Sequence, residues 1–143
     1  MAVFDWQLYM QFAETISAAI KSETGYRNAV SRSYYAAYWR ARRLLESRSA
    51  RIPRMSSHEF VYKSYMGVLN SDAESLGELL KTLRDGRSWA DYDDIPEVTK
   101  NHAETAVQDA KDVISALNAL SNTEIAKAVQ VANTIYADFQ PRR

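Results

Sequence analysis

The chain has 143 residues, a formal net charge of zero and no cysteine. That length suits one ordinary domain, and 46% apolar with 25% charged residues is a globular balance and not a disordered one. Zero Cys excludes a disulfide scaffold, a thiolate metal site and a cysteine nucleophile, while 4 Gly and 3 Pro are too few for the turns of an all-β protein.

Helical periodicity runs along the whole chain. Phe4, Trp6, Met10, Ala13, Ile16, Ala19 and Ile20 recur at three- and four-residue steps, which predicts a first helix over about 4–21. Asp5 and Glu14 within this segment, with no basic start, exclude a signal peptide, and no apolar run approaches the roughly twenty residues that span a bilayer. A cytoplasmic location is therefore expected, in keeping with the lack of cysteine. "KSETGY" reads as a turn with Gly25 at the stop or start, and a second helix covers about 26–48. "SRSARIPRMSS" is a loop whose Ser56 or Ser57 caps a third helix over 57 to about 69. Asp72 caps a fourth to about 84, with Leu76, Leu79, Leu80 and Leu83 inward.

"RDGRSWADYDDIPEV" reads as the one long irregular segment, acidic and aromatic. A fifth helix carries Ala103, Ala106, Val107, Ala110, Val113, Ile114, Leu117 and Leu120. "SNTE" is a capping box of Ser121 and Glu124, opening a sixth helix over about 122–139. The fold class is all-α: an up-and-down bundle of four to five helices plus a C-terminal helix, in one domain over 1–143.

The neutral total hides an asymmetry. Residues 1–71 hold 10 Lys+Arg against 5 Asp+Glu, and the remainder 8 against 13. From Arg27 to Arg54 there are eight arginines, no lysine and one acid, Glu46. Such a run is either a solvated basic face or a footprint for phosphate, for which the planar guanidinium fork is suited.

At about 100° per residue, Val30, Tyr34, Ala37, Ala41, Leu44 and Leu45 form one core stripe on the second helix. Arg32, Arg40 and Arg43 lie roughly opposite. Between them runs a second line, Ser31, Tyr35 and Arg42 with Trp39 beside it; Tyr38 straddles its border with the core. Two large rings on adjacent turns mark a contact surface, so Ser31, Tyr35, Trp39 and Arg42 are read as an interface or site.

"RNAVSRSYYAAYWRARRLLE" resembles the signature helix of HEPN-domain proteins. The likeness is to a prokaryotic branch with Ser-Arg-x-Tyr-Tyr-Ala-Ala, here from Ser31, and a later Arg-x-x-Ala-Asp-Tyr, here "RSWADY" from Arg87 to Tyr92. "SSHEF", Ser56 to Phe60, matches a third marker. The resemblance covers about residues 5–120 and leaves the last helix outside. It implies a helical bundle that forms homodimers, acts with a nucleotidyltransferase partner in toxin–antitoxin or defence systems, and in many members cleaves RNA without metal.

That cleavage relies on an Arg followed after four to six residues by His, where imidazole assists proton transfer and Arg stabilises charge developing on phosphorus. Neither Arg84 nor Arg87 is followed by His at that distance. His58 and His102 are the only histidines, His58 at a family-like position and His102 in a first helical turn. Arg87 and Asp91 are four apart, a structural ion pair on a continued helix or a phosphate-facing Arg with Tyr92 as hydroxyl or stacking partner. The acidic loop of Asp91, Asp93 and Asp94 reads as solvated; no metal or other cofactor is expected.

These residues leave three readings of function. The first is a dimeric RNA- or nucleotide-associated module without the standard ribonuclease site, using Arg32, Tyr35, Arg42, Arg84 and Arg87. The second is a metal-independent endoribonuclease with a non-standard site of Arg87, Asp91, Tyr92 and His58. The third is a helical domain for oligomerisation alone. Whether the chain is an enzyme stays open on sequence grounds.

Overall fold

The computed structural model describes residues 4–139. These form six helices, α1 (Gln7–Ala19), α2 (Glu23–Ser47), α3 (Ser57–Met66), α4 (Asp72–Tyr92), α5 (Lys100–Ala119) and α6 (Asn122–Phe139), and no strand occurs among the described residues. The long α2 is the axis. It packs against α1, α4 and α5, while α3 lies on α4 and α6 docks on α3.

α2 begins earlier than its apolar stripe suggests. The Ser22 side chain accepts from the Gly25 amide at 3.3 Å, satisfying one of the free donors of a first turn. Gly25 itself lies inside the helix: a Cβ there would stand 2.2 Å from the Ile20 carbonyl oxygen. The chain doubles back from α1 too tightly for a larger residue. Downstream, Val30, Tyr34, Ala37, Ala41 and Leu45 are buried and Leu44 is half-buried. Ala29 and Ala36 are buried as well, and these small side chains let neighbouring helices approach α2 closely.

α1 is shorter than its period and only thinly covered. Met10 and Ala13 are buried, whereas Phe4, Leu8, Phe12 and Ile20 are exposed. α3 stops at Met66, and Asn70 then takes a left-handed φ of 57°, a conformation Asn tolerates well. Ser56 precedes α3 with a φ of 59° and makes no side-chain cap bond, so the expected serine cap is not formed there.

The fourth helix departs most from expectation. Its cap is Ser71 and not Asp72, the Ser71 oxygen accepting from the Glu74 amide at 3.3 Å. It also runs on to Tyr92, two turns past Arg84, through what reads in sequence as a loop. The reason is a clamp from α2. Arg27 Nη1 donates to the carbonyls of Trp89 (3.3 Å), Ala90 (2.9 Å) and Asp93 (2.6 Å), and its Nη2 to that of Asp94 (3.3 Å). A cation thus meets the carbonyls at the negative end of the helix, adding to the bond that the Trp89 carbonyl accepts from the Asp93 amide at 3.0 Å. Glu23 holds the clamp, bonded to Arg27 Nε at 3.1 Å and accepting from the Val98 amide at 3.0 Å. These contacts keep the Glu23 carboxyl below its ordinary range, the Val98 bond contributing most and Arg27 next.

α5 starts at a capping box of Thr99 and His102. His102 therefore serves the helix end, its Nδ1 accepting from the Thr99 amide at 3.0 Å, and its ring meets Trp89 edge-on at 4.6 Å. α6 opens as its sequence predicts: the Glu124 amide donates to Ser121 Oγ at 3.1 Å and the Ser121 amide to Glu124 Oε1 at 3.4 Å. Its Ile125, Ala128 and Ala132 are buried, and Tyr136 meets Phe60 of α3 edge-on at 6.4 Å. The last helix thus covers its own bundle. Among the described residues no helix is long and apolar enough to cross a membrane.

Candidate anion-binding site

The continuation of α4 brings the two quoted motifs together. Arg87 projects towards α2, where its Nη2 donates to Tyr35 Oη at 2.6 Å. The same Nη2 reaches Tyr92 Oη at 3.4 Å. The guanidinium carbon lies 5.1 Å from the Tyr35 ring centre and 5.3 Å from that of Tyr92, within cation–π range of both. Arg87 Nε stands 3.0 Å from Asp91 Oδ2, and Ser31 Oγ donates to that same oxygen at 3.1 Å. Asp91 is thus the counter-ion of Arg87 and is tied in turn to α2. Tyr92 is 72% exposed, so the outer ring of this cluster faces solvent.

A second row adjoins it. Tyr34 and Tyr38 are buried on α2 and both pack on His58 of α3, with Tyr38 stacked on the imidazole at 4.4 Å. Tyr34 Oη and His58 Nδ1 are 2.6 Å apart. Burial lifts the Tyr34 hydroxyl far above the usual phenol range, so it keeps its proton. Burial, then the charges of Arg87, Arg84 and Arg42, holds His58 down at about 4, so the ring is neutral at pH 7. The buried Tyr34 hydroxyl has no other hydrogen-bond partner among the described residues, and buried donors are rarely left unpaired. It therefore donates to Nδ1, which leaves the imidazole proton on Nε2.

That assignment decides what His58 can do. Its one lone pair is engaged by Tyr34, so it is an N–H donor and not a free base. It stands in the field of three guanidiniums. Arg42 closes the row, donating from Nη1 to Tyr38 Oη at 3.0 Å and lying 3.5 Å from Glu46. Burial raises the Tyr35 hydroxyl too, against the opposing pull of Arg87. The arrangement offers cations, a neutral N–H and ring faces, which suits it to hold a phosphate and an adjoining base.

The residues singled out from sequence divide cleanly. Arg87, Asp91, Tyr92, Tyr35 and Ser31 meet directly, with His58, Arg84 and Arg42 beside them. Arg84 acts on His58 and Tyr34 through its charge and lies 3.8 Å from Asp85. Arg32 and Trp39 lie elsewhere. Arg32 sits over the Tyr9 ring of α1 at 5.0 Å, and Trp39 stacks on Trp6 at 4.7 Å. The line Ser31, Tyr35, Trp39 and Arg42 is therefore not one open face: α4 takes its first two members, Trp6 covers the third, and Arg42 folds back onto α2.

Tyr34 belongs to the core stripe read from the sequence and Tyr38 to its border, and the hydroxyls of both also meet residues of the candidate site. Their signal was available, because Tyr34, Tyr38 and Arg42 follow one another at four-residue steps on one helix face. Arg27 was counted within the basic run, yet it spends its donors on carbonyls of α4. No local pattern in the sequence reports that contact.

No group of three or more His, Asp or Glu side chains suited to hold a metal ion occurs among the described residues. A family model for the HEPN domain matches residues 10–120. No curated protein and no solved structure matches the chain. HEPN domains are ribonuclease-like or nucleotide-associated modules and commonly dimerise. With its helical bundle and with that match over most of its length, the chain belongs to the HEPN-domain family.

Proposed function

We propose that this protein is a dimeric RNA- or nucleotide-binding HEPN module of a prokaryotic toxin–antitoxin or defence system, acting in the cytoplasm beside a nucleotidyltransferase partner and lacking the standard ribonuclease site. The observation that carries the reading is the Arg87 guanidinium held between the rings of Tyr35 and Tyr92, with Tyr92 open to solvent. Arg87 supplies donors for a phosphate, and Tyr92 offers a face for a base. The missing motif histidine and the engaged lone pair of His58 argue against efficient proton abstraction at this place.

Fluorescence anisotropy with a labelled single-stranded oligoribonucleotide tests it. Arg87→Ala should weaken binding about tenfold or more and reduce its salt dependence. Tyr92→Ala should cost about fivefold to tenfold, while Tyr92→Phe keeps the ring and most of the affinity. Wild-type affinity in both alanine variants would remove the site from this reading.

The second reading, a metal-independent endoribonuclease, draws on the neutral His58 N–H beside three arginines, a set able to stabilise charge on phosphorus. Incubation of mixed RNA with chelator present would then yield 2′,3′-cyclic phosphate ends, and Arg87→Ala would abolish them. Intact RNA under those conditions sets the enzyme reading aside.

A further inference from the structure

The other flank of α2 encloses a cavity of about 380 Å³, within the size range of small-molecule sites. One wall is aromatic. Trp6 and Trp39 stack with centroids 4.7 Å apart and planes within 7°, and Phe4 meets Trp6 edge-on at 4.9 Å. Another part of the lining is basic. Arg40 Nη2 donates to Asn118 Oδ1 at 2.6 Å, which fixes the guanidinium, and Arg43 lies 5.2 Å from the Trp39 ring centre. Asp5 also lines the cavity, and its Oδ1 accepts from the Gln7 amide at 3.0 Å, at the start of α1. Two arginines and one carboxylate thus line the space, and Arg43 also stands 3.7 Å from Glu46 Oε1.

We infer that this cavity binds a small ring-bearing anion, an aromatic carboxylate or phosphate. The class follows from the two parts of the lining. Planar guanidiniums match the oxygens of a carboxylate or phosphate, and a flat aromatic body gains contact with the rings that line the same cavity. A bare inorganic anion leaves the aromatic wall unused. A neutral ring leaves Arg40, bonded to the neutral Asn118 side chain, without a counter-charge. The site does not depend on the Arg87 cluster: it is built from α1, α2 and α5, with Trp39, Arg40 and Arg43 supplied by the part of the signature helix that the RNA-binding reading does not use.

The three tryptophans report it directly. In an amide and indole NMR titration of the full chain, benzoate and phenyl phosphate should shift the Trp6 and Trp39 indole N–H signals saturably and leave Trp89 unmoved. Which of the two binds tighter separates the carboxylate from the phosphate source. Benzyl alcohol and inorganic phosphate should each bind at least tenfold more weakly. Arg40→Ala with Arg43→Ala should reduce both anions to the level of benzyl alcohol, while Trp39→Phe should weaken them severalfold on a still-folded chain. Equal affinity for inorganic phosphate, equal response of Trp89, or full affinity in the double-arginine variant would each overturn the inference. Arg87→Ala should bind these probes as wild type does, so failure at the RNA site leaves this result standing.

Discussion

On the flank of α2 that faces α3 and α4, rings are held through their hydroxyls: Tyr34 to His58, Tyr35 to Arg87 and Tyr38 to Arg42. On the flank that faces α1 and α5, rings are held by their faces, with Trp39 flat against Trp6 and guanidiniums of Arg42 and Arg43 over it at 4.8 and 5.2 Å. Both flanks draw on one run of aromatic and arginine residues. The first buries polar atoms, so most of its hydroxyls are bonded and the titration of His58 is displaced. The second keeps Arg40 and Arg43 exposed to water, with Asn118 and Glu46 as their partners. Equal composition therefore gives a wired, pH-sensitive flank and an open, adaptable one.

The largest way to break this contrast is Arg27→Ala. It removes four bonds to carbonyls around the end of α4 and should cost about 2–3 kcal/mol, since hydrogen bonds from a charged donor are worth more than neutral ones. In urea unfolding followed by near-UV circular dichroism, the Trp6–Trp39 signal should persist in the folded baseline, because the clamp touches only the α4 flank. An unchanged midpoint would deny Arg27 that role.

A smaller effect separates the flanks by pH. Folding holds His58 at about 4 against an ordinary 6.5, so below pH 6.5 the unfolded chain takes up a proton that the fold refuses until about pH 4. Stability is then present above pH 6.5 and is lost as pH falls towards 4. Allowing for solvent reach at a half-buried ring, the loss between pH 7 and pH 5 should be about 1 kcal/mol. His58→Gln should flatten that difference; the same slope in the variant would mean another group causes it.

Trp6→Leu addresses the opposite flank. Loss of the stack should cost about 1 kcal/mol and leave the pH dependence between 7 and 5 unaltered. Smallest is Ser121→Ala, which removes the α6 cap far from both rows. It should cost about 0.5–1 kcal/mol, equally at both pH values, and a pH-dependent loss there would show that α6 is coupled to the His58 row.

The helices themselves were legible because their signals are local. The stripe of Val30, Tyr34, Ala37, Ala41 and Leu45 is a matter of period, and the Ser121–Glu124 box spans only four residues. Errors fell where a distant residue decided the outcome. "RDGRSWADY" contains Gly86 and several polar residues, so it reads as a loop, yet Arg27, sixty-two residues from Trp89, caps its carbonyls and keeps it helical. That same extension set Arg87, Asp91 and Tyr92 against α2, and with it the candidate site.

What the sequence determined by itself is the all-α class, the order of the helices, the core face of α2 and the family. Period and motif spacing encode all of these along the chain. Only the tertiary structure decided which arginines meet anions, which brace carbonyls and which lie on rings. A guanidinium serves each of those purposes equally well, and its neighbours across the bundle choose among them. The partner of His58 Nδ1 was decided in the same way, because it is a buried hydroxyl twenty-four residues away.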